Sequence, residues 1–175
     1  VINPGGGSNP GEQVTVRQWG SGNYAEFIQL LASRRQAFHI LLSGGKDDAE
    51  LCERIMASSR VAPWRSRIQS IAGKTNLHEL RRLLDDADLF ITGDTGGMHV
   101  ASAAGAPILS LFGPTDPREK APLISNATAV KTTAPCAPCY HGKFRGCSYA
   151  FCMNEISPRQ VLLESERLLE AADAR

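Results

Sequence analysis

Asp88-Leu89-Phe90-Ile91-Thr92-Gly93-Asp94-Thr95-Gly96-Gly97-Met98-His99 is the stretch from which the fold can be read. Five residues of strand character run straight into glycine, Asp-Thr and two further glycines, and a helix of small residues, Gly97 to Ala104, follows. Pro107 to Phe112 then reads as another strand. A strand, a tight glycine turn and a helix returning to a second strand make a parallel crossover unit. The same alternation extends outward. Upstream lie Val1-Ile2, a helix with Phe27, Leu30 and Leu31 over 24–36, the apolar run Phe38 to Leu42, a helix over 49–57, a strand over 67–71 and a helix over 77–87. Downstream come a sixth strand over 127–131, a loop from Thr133 to Glu155, and a closing helix with Ser157 as its N-cap and Pro158 in its first position. The expected fold is α/β and Rossmann-like: a parallel sheet with helices on both faces, residues 1–175 forming one domain.

Bulk composition narrows the function classes. With 175 residues, 42% apolar and 21% charged, the chain is ordinary for a globular domain that builds one sizeable core. Nineteen basic against eighteen acidic residues leave a formal charge of +1, which offers no basic stripe for duplex nucleic acid. No apolar run reaches the roughly 18 residues that span a bilayer, and the opening Val1-Ile2-Asn3-Pro4-Gly5 is not a signal peptide. The missing initiator Met suggests a fragment of something longer.

In a sheet of this kind ligands bind beyond the carboxyl ends of the strands. Three of those ends carry Pro4-Gly5-Gly6-Gly7, Ser43-Gly44-Gly45 and Gly93-Asp94-Thr95-Gly96-Gly97. Thr95 is placed to cap the helix that follows, and Gly96 and Gly97 let a ligand approach the backbone. Amides at a helix start, with its positive dipole end, suit a phosphate or diphosphate. Asp94 is expected to accept from loop amides or from a sugar hydroxyl. A plain strand-to-helix junction would use the same residues.

The longer string is more specific. From Asp88 through Ala104-Gly105-Ala106-Pro107 to Phe112-Gly113-Pro114-Thr115-Asp116-Pro117, the sequence resembles glycosyltransferase family 9, the heptosyltransferase type. Asn3-Pro4-Gly5, Arg17-Gln18-Trp19, Gly44-Gly45, Gly73-Lys74-Thr75-Asn76-Leu77, the Cys-x-Pro-Cys loop and Ile156-Ser157-Pro158 also resemble family elements. The resemblance covers the carboxyl-terminal half of a family member, the donor-binding half of a two-domain GT-B enzyme. It implies an inverting transfer, by the full-length protein, of a sugar such as heptose from ADP-heptose to a lipopolysaccharide core or similar glycan, with no catalytic metal or other cofactor.

By the same resemblance the general base lies in the amino-terminal half, so no catalytic residue is expected in this chain. Nucleotide binding without turnover is expected instead. The implied setting is the cytoplasm, at the inner face of the inner membrane. The donor-binding residues carried over are Arg17 for the diphosphate, Thr75 and Leu77 for the adenine, Asp94, Thr95, Gly96 and Gly97 for the diphosphate turn, and His99 beside it. An acid after Gly45 would hold the ribose hydroxyls. Asp47 or Asp48 fits, and Asp47 is preferred. A nucleotide-sugar epimerase half-domain and a non-catalytic nucleotide-binding module remain as alternatives.

Of the five cysteines, Cys52 stands apart, and Cys136, Cys139, Cys147 and Cys152 share the loop over 133–155. An isolated thiol and no export signal suit a reducing compartment. Four clustered thiols could hold a structural zinc or iron ion, remain free, or form disulfides. His141, Lys143 and Arg145 could face an anionic acceptor.

Overall fold

A computed structural model describes residues 1–9, 12–13, 15–139, 147 and 150–173. Its elements in chain order are β1 (Ile2–Asn3), β2 (Ser8–Asn9), β3 (Glu12–Gln13), α1 (Ser21–Arg34), β4 (Ile40–Leu42), α2 (Ala49–Ala57), β5 (Ile68–Ser70), α3 (Leu77–Asp85), β6 (Phe90–Gly93), α4 (Gly96–Ala104), β7 (Ile108–Phe112), α5 (Pro117–Lys120), β8 (Ala127–Lys131), α6 (Phe151–Glu155) and α7 (Pro158–Asp173). Six strands form one sheet in the order β5-β4-β1-β6-β7-β8, every pairing parallel. The strand order reverses at β1 and β6, so a crevice opens between their carboxyl ends.

Both faces of the sheet are buried, and the strands show why. Along β6 and β7, Phe90, Ile108 and Phe112 join the helices α3 and α4 in one core, through Leu80, Leu84, Met98 and Ala101. Their neighbours Ile91, Leu109 and Leu111 point the other way, into a core with Phe27, Ile28 and Leu31 of α1, Leu51 and Ile55 of α2, and Val161 and Leu162 of α7. A two-residue period with both sides apolar reads in sequence as an unbroken hydrophobic run. At the end of α4, Gly105 adopts φ 71° and its amide reaches back to Ser102, a left-handed cap that glycine takes without steric cost. Ser157 Oγ accepts from the Gln160 amide at 3.2 Å, the expected cap of α7.

The α/β architecture and all six sheet strands agree with the sequence reading. The short pieces differ from it. Strands β2 and β3 pair antiparallel, Ser8 opposite Gln13, and the loop expected over 133–155 contains α6. Helices of four or five residues and two-residue strands carry too few periods to show a pattern.

Candidate nucleotide site at the carboxyl edge of the sheet

Asn3, Thr92, Asp94 and Thr95 are buried polar residues at the carboxyl ends of the neighbouring strands β1 and β6. Asn3 Oδ1 accepts the Gly5 amide at 3.2 Å, which fixes the turn after β1. Thr95 occupies the N-cap position of α4, but its hydroxyl does not cap. It pairs with Thr92 Oγ1 at 3.0 Å instead. This corrects the expectation that Thr95 caps the helix. The competing hydroxyl lies three residues back, on a strand whose side chain turns toward it. Among the described residues the Gly96 and Gly97 amides therefore find no protein acceptor, while the Met98 amide donates to Thr95 O at 3.1 Å. Two open amides at the positive end of a nine-residue helix are suited to an anion.

Arg17 reaches this edge from a short 3-10 turn, Thr15–Arg17. Its Nη1 donates to Asp94 O at 3.0 Å and lies 3.6 Å from Asp94 Oδ2, both side chains being largely buried. The aspartate thus has the Arg17 guanidinium as its neighbour, rather than the loop amides expected for it. Trp19 explains the basic-x-Trp spacing. Its ring is fully buried edge-on to Tyr24 at 4.9 Å, and its indole N–H donates to Ile156 O at 2.7 Å. Anchored two residues away, Arg17 is delivered to the crevice with little freedom to leave it.

Of the two acids after Gly45, Asp48 is the one that faces the β1 turn. Its Oδ2 accepts the Gly45 amide at 2.9 Å, and its carboxylate lies so close to Gly5 that a Cβ there would meet Oδ1 at 2.3 Å. Burial, the largest cause, pushes its carboxyl above the ordinary value, with the Gly45 amide opposing and Asp47 adding to the rise. Asp47 is exposed. The preference for Asp47 over Asp48 is not supported by this geometry, because the 3-10 turn Lys46–Asp48 points its third residue, not its second, at the β1 turn.

Thr75 is half-buried, and Leu77 is 67% exposed at the start of α3. Asn76, not Thr75, caps that helix, accepting from the His78 and Glu79 amides. His99 stands exposed on the first turn of α4. The sequence reading passed over Asn3 and Gly7 as site residues. Gly7 has φ 76°, and a Cβ on it would lie 3.8 Å from Thr95 and 3.9 Å from Arg17. The signal was present in Asn3-Pro4-Gly5-Gly6-Gly7, a glycine-bearing strand end at which a ligand is expected but to which no single residue was assigned.

Among the described residues no group of three or more His, Cys, Asp or Glu side chains could hold a metal ion. Cys152 is buried on α6 with its Sγ against Gly113, while Cys136 is exposed. The Cys139 and Cys152 thiols are both pushed up, by burial first and then by the neighbouring cysteines. The structural zinc or iron expected at the four cysteines is therefore not supported by the described residues. His141, Lys143 and Arg145 lie outside the described residues. No described helix is long and apolar enough to cross a membrane.

Comparison with known proteins agrees with this architecture. Residues 7–148 match the family model "Glycosyltransferase family 9 (heptosyltransferase)". A lipooligosaccharide heptosyltransferase 2 of Campylobacter jejuni is 28% identical over 167 residues, which are 94% of this chain and 50% of that protein. The solved ADP-heptose LPS heptosyltransferase II of E. coli superposes with a TM-score of 0.77 at 25% identity, covering 98% of this chain and 47% of the other. E. coli heptosyltransferase WaaC, solved with ADP-2-deoxy-2-fluoro heptose, gives a TM-score of 0.65 over 95% of this chain and 42% of its own, and at 18% identity this likeness speaks for the fold alone. The chain spans about half the length of the curated relatives it matches. With the match running through the Asp94 turn and on past Asp116, this chain belongs to glycosyltransferase family 9.

Proposed function

We propose that residues 1–175 are the donor-binding half of an inverting glycosyltransferase that transfers a sugar, heptose from ADP-heptose, to a glycan such as a lipopolysaccharide core. The observation that carries the reading is the pair of open amides at Gly96 and Gly97, left unpaired because Thr95 turns its hydroxyl to Thr92. The diphosphate would sit on those amides and on the dipole of α4, with Arg17 beside it. Asp48 would accept the ribose hydroxyls, Thr75 and Leu77 would meet the base, and His99 would bound the sugar side. Relatives named as heptosyltransferases support the choice of donor.

In the proposed reaction an acceptor oxygen forms a bond to the anomeric carbon as that carbon's bond to the β-phosphate oxygen breaks. The electron pair leaves with ADP, and the acceptor proton passes to a carboxylate outside this chain. The chain's own share is to hold the leaving diphosphate while its charge grows. Donors that are already fixed stabilise such charge without reorganisation. Arg17 is well suited, since its contact with Asp94 holds a fixed positive charge at this edge of the sheet. The setting that follows is the cytoplasmic face of the inner membrane, reached peripherally.

Calorimetry with ADP, UDP and GDP tests the reading. Binding of ADP in preference to the other two, weakened by Arg17→Ala and by Asp48→Ala, is expected. Equal binding of all three, or affinities unchanged in both variants, would overturn it.

A further inference from the structure

A second cavity, ≈ 220 Å³ in volume, opens at the carboxyl ends of β7 and β8. Its walls come from the Gly113–Arg118 turn, from Lys131 and Thr132 at the end of β8, and from Ala137 and Pro138. Strands β6 and β7 are paired with Gly93 opposite Leu111, so this turn leaves the sheet beside the Asp94 turn. None of the residues assigned to the nucleotide lines it.

Thr115 lines this cavity, is 3% exposed, and its Oγ1 has no hydrogen-bond partner among the described residues. A buried hydroxyl without a partner is destabilising, so it calls for something to bind. The charges around it are unevenly committed. Arg118 gives its Nε and Nη2 to Asp116, the shortest contact being 2.6 Å, and the Arg118 amide donates to the same carboxylate at 2.9 Å. Those bonds hold the Asp116 carboxyl down at about 2, so the acid is ionised and already matched by its own arginine. Thr132 is satisfied too, donating to Glu155 at 2.7 Å and accepting from the Ala134 amide. Lys131 adds to the pull on Asp116 but forms no hydrogen bond or ion pair among the described residues, so its ammonium is the charge left to a ligand.

We propose that this cavity is an oxyanion subsite, which takes a phosphate or carboxylate group borne by the glycan being extended. Thr115 Oγ1 donates to the oxyanion and the Lys131 ammonium neutralises it. The Arg118–Asp116 pair fixes the turn that carries Thr115. The oxyanion claim stands on the cavity alone. Its assignment to the acceptor rests on the glycosyl-transfer reading above.

The test is a titration of the isotope-labelled 175-residue chain, kept in excess ADP, followed amide by amide. Inorganic phosphate is expected to produce saturable shifts at Gly113, Thr115, Lys131 and Thr132. Lys131→Ala should weaken the response about tenfold or more, Thr115→Val should weaken it severalfold, and Lys131→Arg should retain it. Shifts scattered over unrelated surface cations, or a response unaltered in both weakening variants, overturn the subsite. Glucose 6-phosphate and glucuronate distinguish the sources. Tighter binding than inorganic phosphate supports an acceptor-borne oxyanion, and equal or weaker binding overturns the acceptor assignment. ADP shifts at Gly96 and Gly97 are read in the same samples, so failure of the donor site and failure of this one are seen separately.

Discussion

Replacing Gly5 by alanine isolates the contact between the β1 turn and the acid assigned to the ribose. Gly5 is not among the glycines with positive φ, so the substitution acts through space rather than backbone strain. The new Cβ would stand 2.3 Å from Asp48 Oδ1 and 2.6 Å from both Cγ and Oδ2, more than 1 Å inside an ordinary contact by the usual carbon–oxygen spacing of about 3.5 Å. Asp48 must rotate away, and its 2.9 Å bond from the Gly45 amide is lost. A hydrogen bond to a charged group is worth about 1.5–3 kcal/mol, and water replaces part of it at this exposed amide. Against that, alanine removes about 0.4–1 kcal/mol of chain entropy from the unfolded state. The net loss is about 1 kcal/mol, or about 2–4 °C in Tm for a chain of this length.

The decisive assay is a double-mutant cycle by denaturant unfolding, with ADP affinity measured on the same four proteins. In the Asp48→Ala background the obstruction is gone, so Gly5→Ala becomes neutral or slightly stabilising. The coupling energy is about 1 kcal/mol or more. ADP affinity falls in Gly5→Ala as in Asp48→Ala, without a further fall in the double variant. Additive stability effects would refute the reasoning, since they would mean that Asp48 is not where the Gly5 Cβ would have to go.

Asp48 also sets a pH dependence. Its folded pKa lies above the unfolded 3.8 because burial penalises the charged form. The folded state therefore holds the proton more tightly, and stability falls as pH rises through the folded value. Wild type should lose stability relative to Asp48→Asn as pH rises from the unfolded value of 3.8 through the folded one, and a difference that is flat or opposite in sign would contradict the placement. Gly113→Ala would put a Cβ 2.5 Å from Met153 Sδ and 3.0 Å from Cys152 Sγ, overpacking that costs about 1–3 kcal/mol, and an unchanged Tm would count against the packing of α6 on this turn. Cys52, fully buried and pushed up to about 11 chiefly by burial, should resist iodoacetamide near neutral pH until the chain unfolds, while exposed Cys136 reacts. Labelling of Cys52 at the rate of Cys136 would show that the α2 core is open.

The sheet was legible in the sequence because parallel strands buried on both faces are apolar without interruption, as in Phe90-Ile91 and Ile108-Leu109, and because glycine marks the ligand-facing ends of β1, β4, β6 and β7. The turn at Asp94-Thr95-Gly96-Gly97 was legible for the same reason. What could not be read were choices between neighbours. Thr95 has two partners within reach, the helix amides and Thr92, and only the placement of the Thr92 side chain decides between them. Asp47 and Asp48 are chemically identical, and the phase of a single 3-10 turn separates them. The oxyanion cavity was invisible for another reason. Lys131 and Thr115 are 16 positions apart and meet only because β7 and β8 are paired, Phe112 opposite Lys131.

The central claim is that the amides opening α4 hold the diphosphate of a sugar nucleotide. A crystal structure of the chain with ADP measures this directly. Phosphate oxygens within hydrogen-bonding distance of the Gly96 and Gly97 nitrogens, with Arg17 alongside and the ribose at Asp48, are the predicted result. A nucleotide bound elsewhere, with those two amides facing water or packed side chains, would contradict it.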